Sequence, residues 1–390
     1  MTPPAEEYVE RARALAPTIA GLADQIERDR RLPDTLVKAL HAAGLFRLLL
    51  PRSLDGAELD PATFVRVTET LGAVDASTAW CVCQTAGCST TAAYLGPRAA
   101  REIFGGEPCG VLAWGPPTTS KAVVTEGGYR LSGRWSFASG GHHASWLGGQ
   151  APIVHADGEP RRRADGVAER RTLIFPAAAA TRHDVWHVLG LRGTGSDAFS
   201  VQDLFVPHEH TVSRDDPAER QVQAPLYCFP AGSLYASGFA GVALGLARTV
   251  LDAFVTLAGD KTARGHTRPL RESPVVQAQV AQAEARLGSA RVFLLDSLER
   301  IWREVGRAGA LGLDQRITIR LAASHAIQQA RGVVDDAYHA AGATAIFASQ
   351  AFERRFRDIH TISQQLQGRD DHFENVGQFL LGLAPDTSFL

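Results

Sequence analysis

YRLSGRWSFASGGHHASWLGGQAPIV, Tyr129 to Val154, decides how the rest of the chain is read. β-branched and aromatic residues form two runs, YRLSGRWSF and SWLGGQAPIV, with small and polar residues between them, which predicts two strands and a turn. Outward from it, VLAWG, KAVVT, RTLIFP, HDVWHVLGL and AFSVQDLFVP are further short runs separated by turn residues, and Gly127-Gly128 marks a hairpin. Residues 110–222 therefore read as one β-domain. On its N-terminal side the spacing becomes helical. Leu36, Val37, Leu40, Ala43 and Leu45 recur at that interval, as do Phe64, Val65, Val67 and Leu71. Pro33 marks a helix start, and Pro51 with Gly56 a turn. On the C-terminal side four helical stretches follow, from ASGFAGVALGLARTVLDAFVTLAG to FERRFRDIHTISQQLQ. Gly241 and Gly245 suit close packing in the first, Ser273-Pro274 starts the second and Gly342 ends the third. The division is a helical domain over 1–109, a β-barrel or sandwich over 110–222 and a helical bundle over 223–390, an α+β fold.

Composition narrows the function. The 390 residues exceed the usual domain of about 150 and can bury a large core without metal or disulfide staples. Lys+Arg 40 against Asp+Glu 42, a net charge of −2, gives no support to a nucleic-acid partner. Three of the five cysteines stand in WCVCQTAGC (Cys81, Cys83, Cys88), and neither Cys109 nor Cys228 completes a zinc-ligand pair. They read as small core residues of a helix packed on all sides. The charged start and the lack of an ~18-residue uncharged apolar run predict no signal peptide or membrane span, hence a cytoplasmic protein. DGEPRRRADGVAERR, Asp157 to Arg171, reads as a solvated hairpin loop, with an arginine grip on phosphate as the other reading.

Particular strings carry a resemblance. LPDTLVKALHAAGLFRLLLPRSLDGAELD, YRLSGRWSFASGGHHASW, GLRGTGSDAFSVQDLFVP and RRFRDIH resemble, in that order, segments of the acyl-CoA dehydrogenase superfamily over nearly the whole chain. The fold this implies is an N-terminal helical domain, a central β-domain and a C-terminal four-helix bundle. The superfamily has two chemistries. Dehydrogenases remove the α-proton of an acyl-CoA with a glutamate held in a dry pocket. Two-component oxygenases take reduced FMN or FAD from a separate reductase and hydroxylate small molecules through a flavin C(4a)-hydroperoxide. Trp135, Phe137, Ser139, Gly140 and His143 in W-x-F-x-S-G-x-x-H resemble the oxygenase branch, as does G-L-R-G-T-G-S. The dehydrogenase base is missing at both usual places: no Glu lies between Glu219 and Glu272, and Leu366-Gln367 follow the Arg-Asp stretch.

The resemblance implies a flavin-dependent monooxygenase acting on an aromatic or polycyclic small molecule, in a homotetramer built on the C-terminal bundle. Ser139 would face flavin N(5) and donate to it or hold the peroxide, with Phe137 on the ring face and Trp114 near the pyrimidine side. Arg264, or Arg268 in another register, and Gln277 would reach a neighbouring subunit's flavin. Gln365 stands where oxygenases usually carry a histidine, and an amide takes up no proton. His143, His142 and the retained His360 are the imidazoles left to consider. Three alternatives stay open: an acyl-CoA dehydrogenase or oxidase with Glu374 or Asp252 as base, a CoA-ester oxygenase gripping its substrate with the 161–171 arginines, or a structural subunit without catalysis.

Overall fold

Apolar periodicity in the first hundred residues produces six helices: α1 (Ala5–Ala14), α2 (Ala16–Asp29), α3 (Asp34–Ala42), α4 (Pro61–Gly72), α5 (Ala76–Ser89) and α6 (Pro97–Phe104). Asp60 and Asp75 cap α4 and α5, each accepting from a backbone N–H three residues on, at 2.9 and 2.7 Å. The computed structural model describes residues 4–390 apart from Ala164, Asp215, His266 and Phe389. α5 is buried along nearly its whole length; Cys81, Cys83 and Cys88 are core residues, and the five cysteines are free thiols. Burial pushes the Cys88 thiol up to about 12, so it stays protonated.

Eight strands follow: β1 (Leu112–Trp114), β2 (Pro117–Thr125), β3 (Gly128–Trp135), β4 (Trp146–Val154), β5 (Arg170–Pro176), β6 (Thr181–His183), β7 (Ala198–Pro207) and β8 (Thr211–Val212). Their order is β6-β7-β3-β2-β4-β5-β8, with β1 parallel to β4. Trp135, Phe175 and Phe199 pack together in the interior of this domain, Trp135 stacked on Phe199. β2 and β3 pair from Pro117↔Trp135 to Thr125↔Gly128, so Glu126-Gly127 forms the hairpin turn. HDVWHVLGL does not form the expected strand beyond His183. The Asp197 carboxylate accepts from the Val185 and Trp186 backbone amides at 2.9 and 3.0 Å, which takes them away from any ladder.

The chain then returns to helix in α7 (Ala231–Asp260), α8 (Pro274–Ala308), α9 (Leu313–Ala341), α10 (Phe352–Gln364) and α11 (Asp371–Leu380). α7 is the central rod of the molecule, packed on α4, α5, α9 and α10. A Cβ at Gly241 would lie 2.8 Å from the Val65 carbonyl oxygen, and one at Gly245 2.0 Å from that of Glu69, so α4 approaches α7 closely only because these residues are glycine. Contrary to the expectation from sequence, α7 is long and apolar enough to cross a membrane, yet 61% of that stretch is buried inside the protein, as a core helix is.

Candidate active site

A chain of hydroxyls runs through the junction of α5, the β3–β4 turn and the 190–197 turn. Ser139 is buried (5% exposed), and its Oγ accepts from Trp80 Nε1 at 3.2 Å. It lies 2.6 Å from Ser196 Oγ, which lies 2.6 Å from Thr194 Oγ1. Thr194 donates to the Leu191 carbonyl at 2.8 Å. Each hydroxyl has one proton. Thr194 spends its own on Leu191, so Ser196 must donate to Thr194 and Ser139 to Ser196. Every bond then points the same way, and Ser139 is left with one accepting lone pair and no free proton.

Beside it, Phe137 is 61% exposed and held at φ +59°, its ring edge-on to Trp186 at 6.0 Å. A large apolar ring displayed in a left-handed backbone conformation is strained, and marks a surface built to be covered. Trp114 is half-buried at the end of β1, with the Arg214 guanidinium 4.3 Å from its ring centroid. The GLRGTGS segment is a tight turn clasped by α10. The Leu191 N–H donates to Asp358 Oδ1 at 2.6 Å, and Arg357 donates to the Leu189 carbonyl at 2.6 Å. Burial, reinforced by nearby Asp75, pushes the Asp358 carboxyl up to about 7. Asp197, two residues past Gly195, also reaches His142 Nε2 at 2.8 Å and so fixes the orientation of that ring.

The other predicted residues make the following contacts. His143 Nε2 is buried without a hydrogen-bond partner among the described residues, and burial lowers the imidazole to about 3, so it is neutral. His360 ties α10 to α9 through Asp335 at 2.9 Å and leans on Phe356. Gln365 caps the turn after α10, its Oε1 accepting from Gln367 N at 2.7 Å. Neither bonds to Ser139, Ser196 or Thr194 among the described residues. Arg264 and Gln277 are exposed in and just after the α7–α8 connection, where Gln277 donates to the Arg271 carbonyl. Phe239, which stacks on Trp80 at 3.7 Å, precedes the end of α7 by roughly 30 Å of helix, so the two stand far from Ser139 in the same chain. Glu374 is exposed on α11, and Asp252 is exposed and paired with Arg248, so neither is a carboxylate in a dry pocket. In the arginine-rich segment Arg161 holds Glu169, Arg163 holds Asp165 and Arg171 holds Glu219.

Sequence reading passed over Trp80, Thr194, Ser196 and Asp197. The first is read there only within a core helix and the others only within a string that carries the family resemblance, because nothing local shows that they meet. It also passed over a groove of about 680 Å³ on β2, β3, β6 and β7, lined by Thr119, Ser132, Thr181 and Ser200 with Lys121 and Arg134. These two cations have no anionic partner among the described residues.

The acyl-CoA dehydrogenase N-terminal domain matches residues 2–104 and the C-terminal domain residues 237–367, together more than half the length. The chain belongs to the acyl-CoA dehydrogenase family. Within it, the chain falls with the flavin-dependent monooxygenases and is an oxidoreductase that uses reduced flavin. It is 29% identical over 370 residues to indole-3-acetate monooxygenase of Pseudomonas putida, covering 94% of this chain and 91% of the relative. Among solved structures, XiaF from Streptomyces sp. in complex with FADH2 and glycerol superposes with a TM-score of 0.91 at 26% identity, covering 99% and 98% of the two chains. The HsaA monooxygenase from M. tuberculosis gives 0.89 at 26%, covering both chains fully.

Proposed function

We propose that this chain is the oxygenase component of a two-component system: a separate reductase supplies reduced flavin, and the chain uses it with dioxygen to hydroxylate an aromatic small molecule. The observation that carries this reading is the polarity of the hydroxyl chain. A flavin ring bears a hydrogen-bond donor at N(5) when reduced and a bare lone pair there when oxidised. Ser139, able only to accept, fits the reduced form. Phe137 would cover a ring face, Trp114 would flank the pyrimidine side, and the groove with Lys121, Arg134 and its hydroxyls suits a phosphate tail. Bound reduced flavin supplies the activation of dioxygen. The protein's own part is to keep water out with the Trp80–Phe239 stack and to hold the His142 imidazole in place through Asp197. Arg264 and Gln277 would serve the flavin of a neighbouring copy, in a homotetramer.

The relatives favour an aromatic substrate, and Arg161, Arg163 and Arg171 are already engaged by carboxylates, which weakens the grip on a CoA ester. Purified chain would be given reduced FMN or FAD, isotopically labelled dioxygen and a panel of phenols, indoles and aromatic acids. Entry of one labelled oxygen atom into a panel member is expected. Peroxide alone with every compound, together with bleaching of bound FAD by an acyl-CoA, would overturn the reading.

A further inference from the structure

The backbone of Leu191 is tied in both directions. Its N–H donates to Asp358 Oδ1 at 2.6 Å, across to α10. Its carbonyl accepts from Thr194 N at 3.1 Å, Thr194 Oγ1 at 2.8 Å and Trp186 Nε1 at 3.1 Å. Through Thr194 it anchors the hydroxyls that end at Ser139, and through Trp186 the indole that Phe137 meets edge-on at 6.0 Å. One residue thus orients both groups assigned above to the flavin ring. Leu191 holds this posture at φ +53°, a left-handed backbone that a side chain of its size enters only when its surroundings compel it. The preceding residue shows how close those surroundings come. A Cβ at Gly190 would lie 2.2 Å from the Arg357 carbonyl oxygen, so α10 lies directly on the turn.

Asp358 supplies the bond that compels it. The side chain is buried and forms no ion pair among the described residues. The arginines beside it on α10 are engaged elsewhere: Arg354 with Asp24, Arg355 with the Val74 and Ala351 carbonyls, Arg357 with Glu27, Glu353 and the Leu189 carbonyl. A carboxyl taken out of water without a cation is costly, and the bond it makes here is to a strained residue. No other acceptor among the described residues takes the Leu191 N–H, so without Asp358 the residue is free to relax toward negative φ. Its carbonyl then swings away from Thr194 and Trp186. Thr194 gains a proton to give to Ser196, Ser196 one to give to Ser139, and Ser139 becomes able to donate.

We propose that Asp358 is a positioning residue for the flavin: through Leu191 it fixes Ser139 as an acceptor and Trp186 beside Phe137, so α10 governs which redox state of the cofactor the β-domain prefers. The inference rests on the monooxygenase reading and adds to it a residue that acts on the ring only through others. Two measurements test it. In the flavin-free chain carrying isotope-labelled tryptophan, the indole N–H resonances of Trp80 and Trp186 report their bonds to Ser139 and Leu191. That of Trp135, bonded to the Gln150 carbonyl, is the control. Asp358→Ala should shift the first two and leave the control, whereas Asp358→Asn, which keeps an acceptor, should leave all three in place. Thr194→Val, which cuts one branch, should shift Trp80 and spare Trp186. In anaerobic titrations the preference for reduced over oxidised flavin should narrow roughly fivefold in Asp358→Ala and Thr194→Val, the worth of one hydrogen bond, and hold in Asp358→Asn. An unmoved Trp80 resonance in Asp358→Ala, an equal shift of Trp135, or an unchanged preference would each overturn the proposal. Should Asp358→Ala not fold, Asp358→Ser, whose shorter side chain falls short of the Leu191 N–H, takes its place. A wild type that binds neither redox state overturns the monooxygenase reading, whereas the resonances, read without flavin, judge the Asp358 coupling by themselves.

Discussion

At Ser139 the decisive quantity is one proton. Because Thr194 donates to Leu191, the hydroxyls of Ser196 and Ser139 are committed in turn, and Ser139 can only accept. Replacing Ser196 with alanine releases the Ser139 proton and lets it donate. The preference for reduced over oxidised flavin should then narrow several-fold, about the worth of one hydrogen bond, in anaerobic fluorescence titrations. An unchanged ratio would show that Ser139 does not sense the ring. His143 supplies a second test. Its native imidazole resists protonation down to about 3, whereas in the unfolded chain it titrates near 6.5. The unfolded state therefore binds the extra proton first, and stability present above 6.5 is lost as pH falls toward 3, at ~1.4 kcal/mol per pH unit. His143→Phe should flatten this acid limb in urea denaturation series, and an equally steep limb would place the slope elsewhere.

Elements meet here through bonds that sequence does not announce. The helical and β segments could be read because periodicities of 3.6 and 2 are local properties, and Gly241 and Gly245 correctly signalled close packing of α7. HDVWHVLGL reads as a strand because it is rich in β-branched and aromatic residues; capture of its amides by Asp197 decides otherwise. Trp80 to Ser139 spans 59 positions and Leu191 to Asp358 spans 167, so no window over the sequence could join them. The 190–197 turn depends on α10 for its place. Asp358→Ala should leave the buried Leu191 N–H unpaired and cost about 1–3 kcal/mol in chemical denaturation. Asp358→Asn, which keeps an acceptor, should cost much less. Equal losses would mean that the carboxylate's charge, not the bond, holds the turn.

For the whole molecule, the plan of helices, sheet and helices was legible in the order of its periodicities, and the family strings lay in the same order. The site was legible only in part: Ser139 proves to be one member of a hydroxyl cluster that no local string announces, while His360 and Gln365 make bonds that hold helix α10 and its following turn. Arg264 stands roughly 30 Å of helix away from the Ser139 cluster in its own chain. Arg264→Ala should nevertheless weaken flavin binding if a second copy brings it to the site, and mixing it with a Ser139 variant should restore sites in mixed oligomers. Unaltered affinity would remove Arg264 from the cofactor's surroundings. The most direct test of the account is an anaerobic titration of the intact chain with FMN and FAD in both redox states. Reduced flavin should bind more tightly than oxidised flavin and be released after air is admitted. A chain that holds oxidised FAD tightly and has it bleached by an acyl-CoA would contradict it.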